Sequence, residues 1–150
     1  LQAMNEPRPA NPVFQTAFAI MAGIGIGGVI LFVTLTANSV LFPLPEGIDM
    51  EDAEAVRKAM EAAGVKSLTL VALGWFAAPF AGSFMSARLD PARGRLPGGV
   101  VTGFFLLSTV SSLATLPVPT WFWGVGLVAV LSGGHVGHGM GSVRTGAPSG

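Results

Sequence analysis

Two imidazoles are the only ionisable side chains of this chain that fall deep inside an apolar run: His135 and His138, in Gly133-Gly-His-Val-Gly-His-Gly-Met140. On a helix, a spacing of three places both rings on neighbouring parts of one face, where they could share a metal ion or hold a flat ligand. Gly134, four residues before His138, leaves room above that imidazole for a planar ring such as a tetrapyrrole. Measured from Trp121, the two rings lie roughly 21 and 26 Å along a helix. Ionisable groups at membrane depth are functional candidates, so His135 and His138 are candidate cofactor-binding residues. As a metal site the pair is incomplete, because zinc takes three or four protein ligands and no carboxylate lies at that depth. The plainer alternative is two boundary histidines bonded to backbone carbonyls, to Gln15 or to water. No metal is assigned, and the residues alone demand no cofactor.

Little else resembles catalytic machinery. All eight acids lie outside the apolar runs, so no buried carboxylate pair is available for proton relay. The absence of cysteine excludes disulfides, thiolate metal sites and cysteine nucleophiles. Ser108, Ser111 and Ser112 have no histidine near them in sequence, and their hydroxyls can bond the preceding turn's carbonyls. An enzyme is not expected. A formal net charge of zero gives no overall field to recruit nucleic acid, and no nucleic-acid partner is expected.

The elements that position the histidines are apolar helices. The chain is 51% hydrophobic and 11% charged, against about 25% charged in soluble domains, and its mean hydropathy is +0.64. Residues 13–42 contain no Asp, Glu, Lys, Arg or His. As a helix this stretch reaches roughly 45 Å, where a bilayer core of about 30 Å needs only about 20 residues. The run is too long for a signal peptide and only Arg8 precedes it, so it is expected to be a retained first span. Met4 offers a natural start, with Leu1–Ala3 upstream of it. Residues 1–12, with three prolines, are expected to be a flexible cytoplasmic segment. Gly23, Gly25 and Gly28 spell a dinucleotide fingerprint on paper, but that motif requires a preceding strand in a βαβ unit.

Further spans are expected over about 68–87, 96–115 and 121–143. Between the first two, residues 50–63 form an outer amphipathic helix. Asp49 is its expected N-cap, Glu51 and Asp52 lie in its first turn, and Gly64 is its stop. Met50, Ala53, Val56, Met60 and Ala63 make its thin apolar stripe. Glu54 and Lys58 form an i,i+4 pair. Small residues repeat at four-residue spacing: Ala19, Gly23 and Gly27 in the first span; Gly74, Ala78, Gly82 and Ser86 in the second; Ala129, Gly133, Gly137 and Gly141 in the fourth. Such ridges let helices approach closely in lipid. Pro79 is expected to bend the second span. Trp121 and Trp123 are expected as interface anchors, and residues 144–150 as a disordered tail.

Loop charge sets orientation. Residues 43–67 hold six acids against three bases, whereas residues 88–96 hold three arginines against one aspartate, and Arg144 follows the last span. Both termini and the arginine loop are therefore expected on the cytoplasmic side. Short connections imply an up-down-up-down bundle. The expected fold class is an all-α membrane protein of four transmembrane helices with one outer helix.

The segment Pro43-Leu-Pro-Glu-Gly-Ile-Asp49, a small-residue second span ending in Ala87-Arg88, and the later turn Pro117 to Phe122 carry a resemblance. Over residues 13–135 the chain resembles a widespread, uncharacterised group of small bacterial four-helix inner-membrane proteins with a P-x-P-x-G-x-D outer segment. The resemblance implies the same topology and a bacterial inner membrane. Members often carry Glu near the end of the first span, where this chain has Asn38.

The leading expectation is a non-enzymatic protein acting by helix–helix association, as a homo-oligomer or as an accessory subunit of a membrane complex, because three of four helices carry small-residue ridges, a surplus over what the bundle needs for itself. One alternative is a small transporter or channel for a neutral solute, with Pro79 and the hydroxyls of the third span lining its path. Another is a pigment- or haem-binding subunit using His135 or His138.

Overall fold

The computed structural model describes residues 11–43, 45–49, 51–93 and 95–143. Residues 1–10 of the expected N-terminal segment 1–12, the stripe residue Met50, the base Arg144 and the expected tail lie outside these. The described residues are all-helical: α1 Pro12–Leu41, α2 Ala53–Leu89, α3 Arg95–Thr115 and α4 Thr120–Ser142. Of these, α1, α2 and α3 are long and apolar enough to cross a membrane. The exterior agrees, since Phe14, Phe18, Met21, Phe32 and Val33 stand exposed along α1. A continuous apolar face of this kind calls for lipid rather than water. At 23 residues α4 is as long as a span, but seven glycines and two histidines dilute its hydropathy.

Each helix starts and stops for local reasons. Asn11 caps α1, its Oδ1 accepting from Val13 N, with Pro12 at the first helical position. The fingerprint glycines Gly23, Gly25 and Gly28 all lie inside this helix. The cap of α2 is Asp52, not Asp49: Asp52 Oδ1 accepts from Glu54 N at 2.9 Å and Ala55 N at 3.4 Å. Asp49 instead closes a turn one step earlier, accepting from Glu51 N. Both are acceptors two residues before a free N–H, and the chain between them decides which one opens the helix.

Rather than ending a separate helix, Gly64 kinks a continuous one. Its φ of 75° and ψ of 179° are non-helical and open to glycine alone, yet the helix resumes at Val65. The second rod therefore begins before residue 68. On the outer rod Val56 and Ala59 are buried, Met60 and Ala63 half-buried and Ala53 exposed, so the buried stripe is rotated from the expected one. Arg57 rather than Lys58 is the main partner of Glu54, at 2.6 Å, and it also reaches Glu61 at 2.7 Å. Lys58 stands 3.8 Å away.

The hydrogen bond from Arg57 holds the Glu54 carboxyl below its ordinary value of 4.5, and the same bond raises Arg57. A depressed acid stabilises above its unfolded value and loses that contribution as pH falls through the lower folded value. Because the trio is solvent-exposed, the contribution is small. We expect Glu54→Lys to leave membrane-inserted yield and melting temperature nearly unchanged at neutral pH. A severe loss of inserted protein would show that this rod bears on the core.

The core forms where α2 meets the other three helices. Trp75, Val101, Phe105, Leu113, Phe122 and Val130 are buried together, with Trp75 and Phe122 ring centroids 5.2 Å apart. Gly23 meets Gly82 and Thr34 meets Gly74, so α1 and α2 run antiparallel. Gly133 meets Phe76 and Gly141 meets Phe84, so α2 and α4 run parallel. Among the described residues α1 does not touch α4.

Candidate functional site

The small-residue ridges are used inside the chain. Ala19, Ala78 and Ser86 are fully buried, as are the ridge glycines of α1 and α2. A Cβ built on Gly23 would come within 2.6 Å of Gly82 O, and one on Gly82 within 2.6 Å of Gly23 O. One on Gly27 would lie 2.6 Å from Ala78 O. On α4, a Cβ at Gly133 or Gly137 would run into the carbonyls of Phe76 or Phe80, and one at Gly141 would lie 2.6 Å from Phe84 O. Gly126 lies under the Trp75 ring, whereas Ala129 is only half-buried at the edge of the core. The surplus of ridges expected for outside partners is not there: two faces of α2 take all three. Trp121 is exposed and Trp123 half-buried against the core.

The glycines that meet nothing within 4 Å on the four helices are a different set, among them Gly25 and Gly28 on α1, Gly103 on α3 and Gly124 on α4.

The histidines line a lateral groove of about 1040 Å³ between α3 and α4. Its walls include Arg95, Gly98 and Thr102 of α3 and Leu131, His135 and His138 of α4. Gly134 leaves no room for a flat ring, because a Cβ there would collide with Oγ1 and Cγ2 of Thr102. Thr102 is pinned in that place: its hydroxyl donates to Gly98 O at 2.9 Å and stands 3.0 Å from Ser83 Oγ. Buried Ser83 in turn donates to Gly98 O at 3.1 Å. The imidazole of His138 packs against Gly98, where a Cβ would lie 2.9 Å from Nδ1. That Nδ1 is buried and has no hydrogen-bond partner. Gln15, an expected partner of the histidines, instead donates to Leu89 O at 3.1 Å. Among the described residues no group of three or more His, Cys, Asp or Glu could hold a metal. The residues on the Gly134 side do not fit a tetrapyrrole.

The hydroxyls of α3 serve their own helix: Ser108 donates to Phe104 O, Ser112 to Ser108 O and Thr115 to Ser111 O. Pro79 is fully buried in the α2 core face. Asn38 accepts from Ser67 Oγ at 3.1 Å and ties α1 to α2.

One polar node escaped the sequence. Asp90, which caps the C-terminal end of α2, is only 3% exposed. Its Oδ2 lies 2.5 Å from the Thr16 hydroxyl, and its Oδ1 accepts from Arg93 N at 3.3 Å. The Thr16 hydroxyl is also 3.0 Å from Pro12 O and donates to one acceptor at a time. In sequence Asp90 is an ordinary loop acid; the only cue is its position directly after a helix and before Pro91. With Gln15 to Leu89 O, this node pins the start of α1 to the end of α2. Thr16→Val removes the hydroxyl at constant shape and leaves Oδ2 short of a donor, a loss of about 1–3 kcal/mol. Thr16→Ser should retain most of it. Melting temperatures of both variants in detergent check this.

Compared with protein-family models, curated proteins and solved structures, the chain matches none of them.

Proposed function

We propose that the chain is an integral protein of a bacterial inner membrane, built as an up-down-up-down bundle of four transmembrane helices. The arginine loop and both termini face the cytoplasm. It acts without catalysis, by lateral association with a second copy or with other subunits of a membrane complex. The orientation rests on Arg88, Arg93 and Arg95 at the end of the bundle where α1 begins and α4 finishes. The four-span reading is supported by α4 packing along α2 from Trp75 to Ala87.

The association reading is carried by one observation: α1 packs along a single narrow face, leaving a notch outside. Gly25 and Gly28 are open there, flanked by exposed Met21 and Phe32. In lipid, where apolar burial drives nothing, close helix approach at such small residues is what association uses. Purification in mild detergent, with mass measurement, tests it: the expected species exceeds the 15.3 kDa chain and shrinks toward it in Gly28→Leu. A strictly monomeric parent without co-purifying protein from native membranes refutes the association. Single-cysteine labelling beside Arg93 and beside Glu51 tests the orientation separately.

A further inference from the structure

The α3–α4 groove has a lining of one chemical character. Among the described lining residues there is no carboxylate. The three hydroxyls donate within the chain: Thr102 to Gly98 O, Ser132 to Val128 O and Ser142 to Gly139 O. The donors without an internal acceptor are cationic or imidazole. Arg95 is exposed at the first residue of α3 and forms no ion pair among the described residues. His135 is exposed, and His138 turns its Nδ1 into the wall at Gly98. With Nδ1 sealed against the helix, the neutral tautomer that avoids burying an unpaired N–H carries its proton on Nε2, free to donate into the groove.

Above these donors the walls are apolar and open outward, at Val128 and half-exposed Leu131. The groove thus offers a guanidinium and imidazole donors at the arginine end and an apolar trough leading away from it. Basic recesses between helices at a membrane boundary suit anionic headgroups, and a guanidinium matches phosphate oxygens in pairs.

We propose that this groove binds one anionic phospholipid, with Arg95 and His138 donating to the headgroup phosphate and one acyl chain lying along Val128 and Leu131. The proposal rests on the membrane reading above and adds a ligand class to it. Arg95 and His138 fix the headgroup; His135 stands beside it.

The test uses the whole chain in mild non-ionic detergent, titrated with phosphatidylglycerol or phosphatidylcholine of identical chains and followed by native mass spectrometry. Phosphatidylglycerol should be retained in preference to phosphatidylcholine, with one tight equivalent. Arg95→Gln should weaken it about tenfold or more, since a charge-assisted hydrogen bond is lost. Arg93→Gln, in the same loop but outside the groove lining, should leave it unchanged. Leu131→Trp fills the trough from its exposed side without crowding the core, so it should weaken binding even if Arg95→Gln proves poorly folded. Equal retention of the two lipids overturns the proposal, as do parent-like affinity in both groove variants and equal loss in Arg93→Gln. Displacement of the lipid by inorganic phosphate alone makes this a free-anion site and overturns the lipid assignment. Binding in detergent does not depend on which way the chain faces in a membrane or on its oligomeric state. Failure here is therefore distinguishable from failure of the topology or association readings.

Discussion

Gly137→Leu should melt the detergent-solubilised protein several degrees below the parent, while Gly124→Leu on the same helix should melt with it. At Gly137 even a methyl group would overlap the Phe80 carbonyl, which is backbone held inside α2 and cannot swing aside. The same substitution at Gly124 meets nothing within 4 Å. Overpacking typically costs about 1–3 kcal/mol, occasionally more, which for a chain of this size is roughly 3–10 °C. Both changes add the same apolar bulk to one helix, so their difference isolates the interface from helix propensity and hydropathy. Equal melting would mean that α4 does not sit on α2 at this register.

Gly82→Leu should be comparably severe, set against Val33→Leu as its control. A side chain at Gly82 meets the Gly23 carbonyl carbon and oxygen and the Val101 side chain at once, so it disturbs α1 and α3 together. Lipid offers no offsetting gain, being as apolar as leucine. Val33 is exposed on α1, and lengthening it there changes only what faces outward. Because Gly23 and Gly82 each block the other's Cβ, Gly23→Ala and Gly82→Ala should be non-additive. Once one methyl has pushed the helices apart, the second costs less. Thermal melts of the two singles and the double give that cycle, and strict additivity would mean that the two residues are not in contact.

Much of the helical class was legible in residues 13–42 and in the prolines at 43, 45, 117 and 119, because length without charge and a break in backbone donors are local properties. Pairing was not. Four-residue spacing marks a small face on α1, α2 and α4 but carries no record of which helix covers it, and counting ridges without pairing them produced an apparent surplus. The open glycines, Gly25 and Gly28, lie off the four-residue rows and were passed over. Depth was misjudged for a related reason. Asp90 reads as a loop acid because burial is decided by the start of α1, seventy-four residues away at Thr16. Gly134 was read as empty space because its occupant, Thr102, belongs to another helix. His135 and His138 could be seen as exceptional from sequence; Arg95, which gives their groove its charge, could be seen only as one of three loop arginines.

The glycine face of α4 bears on how the chain reaches its place. In the proposed four-span arrangement, α1 can leave an insertion channel for the lipid on its own partitioning, having thirty residues without an ionisable group. With seven glycines and two histidines, α4 gains less from the acyl phase than α1 does. What holds it is protein: the row of carbonyls that α2 presents at Phe76, Phe80 and Phe84. In that arrangement the integration of α4 is expected to be templated, with α2 already resident in the bilayer when α4 emerges. A nascent chain whose α2 is delayed would leave α4 stranded at the membrane surface.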